Sequence, residues 1–378
     1  MPITRTRRRL QAAAVDAAMT AAEKVAAEQG HRVVIAIVDA DGHVLQLRRP
    51  EGAQVASSQV ALDKARTAAI FVRPSRHLEA QVSSGRLGAL ALHGAAALTG
   101  GVPLVVEGEV VGAIGTSGET PDEDEAVSLA GAGIHLPVVD VPALTSDGAR
   151  AAADAAAAEA RRRGVAPVVA VVDAGGTLVH VWRPDDAQVA SVGVATDKAR
   201  TAAIYRRPSK DFEDQASGGR PSALHLAGAV PLQGGVPLVA DGTVVGAVGV
   251  SGASSADEDN ELAELGATGF AAAAVAPRPT HVPARAMADA FAVGRLVVDT
   301  PGYKVDAARR SGPGSTELHE RTTDVIYVLE GTATVRTGPD GDPTSLSAGD
   351  VFVVPAGVPH AFVTTSDPFR YLVVKVEQ

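Results

Sequence analysis

At 378 residues the chain has room for about two to three domains. Its formal net charge of -10 argues against a sequence-independent grip on nucleic acid or on an anionic membrane, and no apolar stretch approaches the roughly 18 to 20 residues of a membrane span. Cysteine is absent, which removes disulfides, thiolate nucleophiles and cysteine metal sites together and leaves histidine and carboxylate to hold any metal.

The chain opens on a basic run, Arg5, Arg7, Arg8 and Arg9, which reads as the solvated face of a first helix from Thr4 to about Gln29. Asp16, Glu23 and Lys24 interrupt what would be the apolar core of an export signal, so cytoplasmic residence is the expectation. Two strands follow, Val33 to Val38 and Val44 to Arg48, joined by the turn Asp39-Ala40-Asp41-Gly42. A helical block around Lys64, with Ala61, Ala65, Ala68 and Ala69 at helical spacing, ends near Pro74. A polar loop carrying Arg86 then leads to a short helix containing Leu90. A second hairpin pairs Val102 to Val106 with Val110 to Gly115, and the acidic residues Asp122 to Glu125 favour a last helix start by complementing its macrodipole.

The same order then returns. Asp63 to Ile70 recurs unchanged as Asp197 to Ile204, Ala53 to Ser57 is matched by Ala187 to Ser191, and Gly100 to Val105 by Gly234 to Val239, all at a shift of 134 positions. The second copy has a helix from Ser146, as its N-cap, to about Arg163, stopped by Gly164, then strands Val168 to Val172 and Leu178 to Trp182. Two hairpins separated by helices predict, in each copy, an antiparallel sheet with helices packed against it, an α+β class. Two copies of one fold can share an isologous surface, so they are expected to pair within the chain as a pseudo-symmetric dimer, with homo-oligomers between chains.

Glycines and charges repeated at matching positions more often serve a site or a special backbone shape than a core does. The matched polar pairs are Asp39 with Asp173, Arg49 with Arg183, Lys64 with Lys198, Thr67 with Thr201, Arg86 with Arg220, and Ser117 with Ser251. Lysine is scarce beside arginine, which makes Lys64 and Lys198 candidate catalytic residues, as point charges or Schiff-base nucleophiles. Arg86 and Arg220 join them as forks for a carboxylate or phosphate. The alternative is a helix-surface ammonium paired with Asp63 or Asp197, while Arg49 and Arg183 read as salt-bridge formers.

Ala276-Pro277-Arg278-Pro279-Thr280 is a proline-rich linker, after which the pattern changes to short strands: Arg295 to Val298, Val325 to Leu329, Thr332 to Thr337, Val351 to Val354 and Tyr371 to Val376. This last domain reads as a small all-β barrel or double-sheet roll. The expected domains are residues 1–140, 141–278 and 279–378.

The blocks Val38-Asp39, Asp63 to Ala68, Gly100 to Leu104 and Gly115 to Gly118, with an acidic pair after them, resemble the GlcG/HbpS (DUF336) family. The second copy, with Gly249-Val250-Ser251-Gly252, is the closer match, and together the copies cover roughly residues 4–275. The resemblance implies an α+β fold, a tendency to oligomerise, and kinship with heme-binding, heme-degrading or redox-sensing proteins. Gly349 to His360 resembles the second cupin motif and Asp324 to Gly331 the end of the first. The cupin resemblance implies a metal such as iron, manganese, zinc or nickel, and alignment on Tyr327 to Gly331 places Glu317, His319 and Asp324 at ligand positions.

Glu317 and His319 are two apart on an expected strand, so they face one side. With Asp324 and His360 they form a two-histidine, two-carboxylate set that suits divalent iron, manganese or zinc. The alternative is a metal-free barrel in which His360 is a turn histidine and Arg321 binds a carboxylate. Heme is possible and not favoured, because no histidine is matched between copies: His31 faces Val165, His93 faces Ala227 and His225 faces Ala91. The reading is an enzyme of small-molecule metabolism acting on a polar, carboxylate-bearing organic metabolite by metal-dependent or lyase/isomerase-type chemistry. The alternatives are a non-catalytic heme- or tetrapyrrole-binding or redox-sensing protein, and a scaffold whose repeats serve only assembly.

Overall fold

A computed structural model describes residues 2–275, 282–300, 302–338 and 341–377. The linker expected at 276–280 lies outside the described residues. The chain divides into two compact units, Met1–Ala276 and Pro277–Gln378.

In the first unit, repeat 1 runs β1 (Thr4–Leu10), α1 (Ala12–Glu28), β2 (Val34–Asp39), β3 (Val44–Arg48), α2 (Ser57–Ile70), α3 (Arg76–Ser83), a 3-10 turn over Leu87–Ala91, β4 (Gly101–Val106), β5 (Glu109–Ser117) and α4 (Pro121–Ala132). Repeat 2 copies it with β6 (Val138–Leu144), α5 (Ser146–Arg163), β7 (Val168–Asp173), β8 (Leu178–Trp182), α6 (Ser191–Tyr205), α7 (Lys210–Ser217), a 3-10 turn over Pro221–His225, β9 (Gly235–Ala240), β10 (Thr243–Ser251) and α8 (Ala256–Val275). Each repeat is a four-stranded antiparallel sheet, ordered β3-β2-β5-β4 and β8-β7-β10-β9. One face of each sheet packs on α2 or α6, and there the duplicated glycines act by being small. A Cβ at Gly115 would collide with the Ala61 carbonyl, and one at Gly249 with that of Ala195.

The arginine run is not helical. It forms β1, which pairs antiparallel with β6 from Thr4↔Leu144 to Leu10↔Val138. Helix propensity is a weak prior, and pairing with the apolar strand Val138–Leu144 overrides it here. Arg7 lies opposite Val141, its own counterpart under the 134-residue shift, so the ribbon runs along a pseudo-two-fold axis between the repeats. Ile3 enters the core of repeat 2 while Leu10 enters that of repeat 1. Arg7 forks onto Asp41 at 3.0 and 2.9 Å, and His43 Nε2 meets the Gly175 carbonyl at 2.9 Å across the axis. The expected internal pairing is therefore present.

Three smaller expectations change. The N-cap of α5 is Thr145, whose Oγ accepts from Gly148 N–H, rather than Ser146, although Gly164 does close the helix at φ 72°. The loop before Arg86 contains α3, and its counterpart contains α7. Each buries a single anchor, Leu78 or Phe212, too few for a periodic signal.

The second unit opens with α9 (Ala284–Val293) and continues as β11 (Arg295–Thr300), β12 (Tyr303–Arg310), β13 (Thr322–Glu330), β14 (Thr332–Thr337), β15 (Thr344–Ser347), β16 (Val351–Val354), β17 (His360–Thr365) and β18 (Phe369–Glu377). A five-stranded sheet, β11-β12-β18-β13-β16, faces a three-stranded one, β15-β14-β17, over a core that includes Ile326, Val328, Val335, Phe362, Phe369 and Tyr371. α9, β12, β15 and β17 were not foreseen.

Candidate functional site

Of the duplicated polar residues, the lysines, threonines and aspartates are bonded inside the fold in the same way in both copies. Lys64 is 5% exposed, and its Nζ donates to Thr116 O at 2.9 Å and to Asp124 Oδ2 at 2.7 Å. Lys198, 4% exposed, donates to Val250 O at 2.9 Å and to Asp259 Oδ2 at 2.8 Å. Neither lysine is the surface ammonium beside Asp63 or Asp197 that the sequence allowed; each points inward and ties α2 to α4, or α6 to α8. Burial pushes the Asp124 carboxyl above its usual range, against the pull of the Lys64 ammonium.

Thr67 and Thr201 accept the N–H groups of Ala96 and Val230, and Asp39 and Asp173 each accept two turn N–H groups. Ser117 and Ser251 are buried at the ends of β5 and β10. Arg86 and Arg220 are exposed and reach Gln81 on α3 and Gln215 on α7. Among the described residues no hydrogen bond or ion pair joins Lys64 to Arg86 or Lys198 to Arg220. Arg49 and Arg183 are exposed, and salt bridging falls instead to Arg48, which meets Glu23 at 2.6 Å.

In the barrel unit the expected ligands do converge. Glu317 and His319 lie on an extended segment ahead of β13. It is held by reciprocal backbone bonds between Glu317 and His360 and by the Gly357 N–H on the His319 carbonyl. Glu317, His319 and His360 offer ligand atoms within 4.8 Å of one another. Asp324, 3% exposed on β13, places Oδ2 3.4 Å from His319 Nε2 and 3.8 Å from His360 Nε2. His360 Nδ1 lies 3.4 Å from the Val358 carbonyl, which aims its other nitrogen at the cluster.

His319 Nε2 and Asp324 Oδ1 are buried without a hydrogen-bond partner. Leaving such a group unmet costs about 1–3 kcal/mol, so a cluster that converges without bonding itself is shaped for something else. Two imidazoles and two carboxylates turned toward one point fit a divalent cation. Burial pushes the Asp324 carboxyl up, opposed by His319, Lys375 and His360 and reinforced by Glu317.

The sequence reading missed Arg310, at the end of β12. Its Nε donates to Tyr371 Oη at 2.7 Å, its Nη2 to Glu317 Oε1 at 2.8 Å, and its guanidinium lies 5.1 Å from the Phe362 ring centre. Burial pulls its pKa down, but Tyr371 and Glu317 more than offset that and raise it. Arg321, the earlier candidate for a carboxylate, is exposed.

A family model described as haem degrading protein HbpS-like matches residues 10–133 and 144–268, and one for the cupin domain matches 307–375. Protein GlcG of Escherichia coli K12 is 40% identical over 93 residues, which cover 25% of this chain and 69% of that protein. An uncharacterized 15.0 kDa protein of Citrobacter freundii, from the dhaT-dhaS intergenic region, is 35% identical over 128 residues, covering 33% of this chain and 89% of that one. The solved structure of a Streptomyces reticuli HbpS double mutant is 35% identical and covers 33% of this chain and 86% of its own, with a TM-score of 0.32.

Proposed function

The chain belongs to the HbpS-like family through its two repeats and carries a cupin domain behind them, and we propose that it is an enzyme of small-molecule metabolism acting on a polar, carboxylate-bearing organic metabolite. The chemistry belongs to the barrel. The observation that carries this reading is the convergence of Glu317, His319, Asp324 and His360 with two of their buried atoms unmatched. Glu317, His319 and His360 would hold the ion, with Asp324, close to both imidazoles, as a fourth donor. Histidine and carboxylate together suit iron(II), manganese or zinc. Such an ion supplies Lewis acidity toward a carbonyl or a bound water that ionises near neutral pH.

Around that ion the chain's own residues orient the donors: Tyr371 holds Arg310, and Arg310 fixes Glu317. Lys64 and Lys198 are assigned to the scaffold and Arg86 and Arg220 to the surface. Homo-oligomers and cytoplasmic residence are part of the same proposal. Exposed apolar side chains at equivalent positions in both repeats, Val44 with Leu178, Leu90 with Leu224 and Val105 with Val239, support the oligomers. Among the described residues no helix is long and apolar enough to cross a membrane. The test is metal content: wild-type protein offered iron, manganese and zinc should retain close to one ion per chain, and His360→Ala should lose most of it. A wild type that retains none defeats the reading.

A second reading is tetrapyrrole binding by the repeats. It is favoured by the description of the matched family and by the exposure of Leu90, Leu92 and His93 in repeat 1 and of Leu224 and His225 in repeat 2, which offer an apolar face beside an imidazole. Titration with hemin should then give a Soret band that His93→Ala or His225→Ala abolishes. An unchanged spectrum in both variants removes those ligands.

A further inference from the structure

We infer that Arg310 is an anion anchor beside the metal set, so that the barrel takes a small monocarboxylate bearing a second oxygen donor on the adjacent carbon, a 2-oxo or 2-hydroxy acid. The inference rests on the metal reading above and adds to it the ligand class and the residue that selects it.

Arg310 is held rigid on three sides. Its Nε is fixed by Tyr371 Oη, its plane lies over Phe362, and its Nη1 rests against Gly314, where any Cβ would collide with it. The side chain nevertheless keeps 25% of its surface open, and among the described residues no acceptor meets Nη1. A guanidinium immobilised in this way loses little freedom when a carboxylate docks on it, and its unmatched Nη1 can donate to a carboxylate oxygen.

Glu317 shows where such a ligand would reach. One of its oxygens is 2.8 Å from Arg310 Nη2 while the other is 3.7 Å from His319 Nε2, so a single carboxylate group spans the distance from the guanidinium to the donor cluster. Glu317 already fills that span, so a ligand carboxyl would dock beside it, on Nη1, and turn its remaining donors toward the cluster. A donor on the next carbon would give the ligand a second oxygen to offer an ion held there. Glu317 and Asp324 set the charge limit: two carboxylates beside one guanidinium repel a dianionic phosphate more than a monocarboxylate.

The test uses the full chain loaded with manganese and titrated calorimetrically with oxamate, a monocarboxylate with an adjacent amide oxygen, and with oxamide, its neutral counterpart. Wild type should bind oxamate at least about tenfold more tightly than oxamide. Arg310→Met should keep its manganese and lose roughly tenfold or more in oxamate affinity, with Arg310→Lys recovering part of it. Equal affinity for the two probes, or an Arg310→Met variant that binds oxamate as wild type does, overturns the anchor and leaves the metal reading standing. If both Arg310 variants lose manganese, the residue serves to position Glu317 and the anchor is likewise overturned. A wild type that takes up no manganese overturns the metal reading and the anchor with it.

Discussion

The repeats and the barrel both bury charged side chains, and they complete them differently. In the repeats Lys64 and Lys198 each meet a carboxylate and a carbonyl, and Thr67 and Asp39 are bonded as Thr201 and Asp173 are. In the barrel, four titratable groups crowd one point, and two of their buried atoms have no hydrogen-bond partner among the described residues. Duplication preserved the lysine pairs that hold the fold, whereas the unduplicated domain carries the cluster that converges on one point with two of its atoms unmatched. Retention of a polar residue in two copies therefore points as readily to an internal staple as to a site, and satisfaction of its hydrogen bonds separates the two cases.

The largest expected effect lies on the satisfied side. Lys198→Met leaves Asp259 buried and unpaired, and should destabilise the repeats by about 3–5 kcal/mol in chemical denaturation. Replacing both partners, as Lys198→Met with Asp259→Leu, should restore most of that loss. A neutral single substitution would break the comparison, because it would mean the pair is not holding α6 to α8.

A smaller effect, of opposite sign, is expected in the barrel. Because the folded-state pKa of Asp324 is raised, the fold holds its proton more tightly than the unfolded chain does, and this favourable contribution is lost as pH rises from the ordinary carboxylate value through the raised one. In metal-free protein Asp324→Asn should therefore flatten that part of the stability profile and change stability by less than about 1 kcal/mol near neutral pH. A steep loss of stability at all pH values would mark Asp324 as a staple like Asp259.

Much of this was legible in sequence. The hairpins of both repeats followed from alternating apolar residues around glycine turns, and the convergence of Glu317, His319 and His360 in the barrel followed from its motif. The partner of Lys198 was hidden by a one-residue insertion: Asp124 and Asp259 are 135 apart where the blocks before them are 134 apart, so an acidic helix start concealed an ion pair. The strand β1 was concealed by arginines whose long stems lie along a ribbon that only β6 completes. β12 escaped because Asp306 and Arg310 stand on it where a core strand would be apolar; each pairs with a charged group, Lys375 or Glu317. Arg310 belongs to no motif, and its importance is visible only when Tyr371, Phe362 and Glu317 are seen around it.

Hydrogen exchange of the full chain with and without added manganese compares the two regions in one experiment. The account predicts slowed exchange at the backbone around Glu317 to His319 and around His360, with the segments that carry Lys64 and Lys198 unchanged. Protection that appears around the two lysines, or a barrel that manganese leaves untouched, would contradict it.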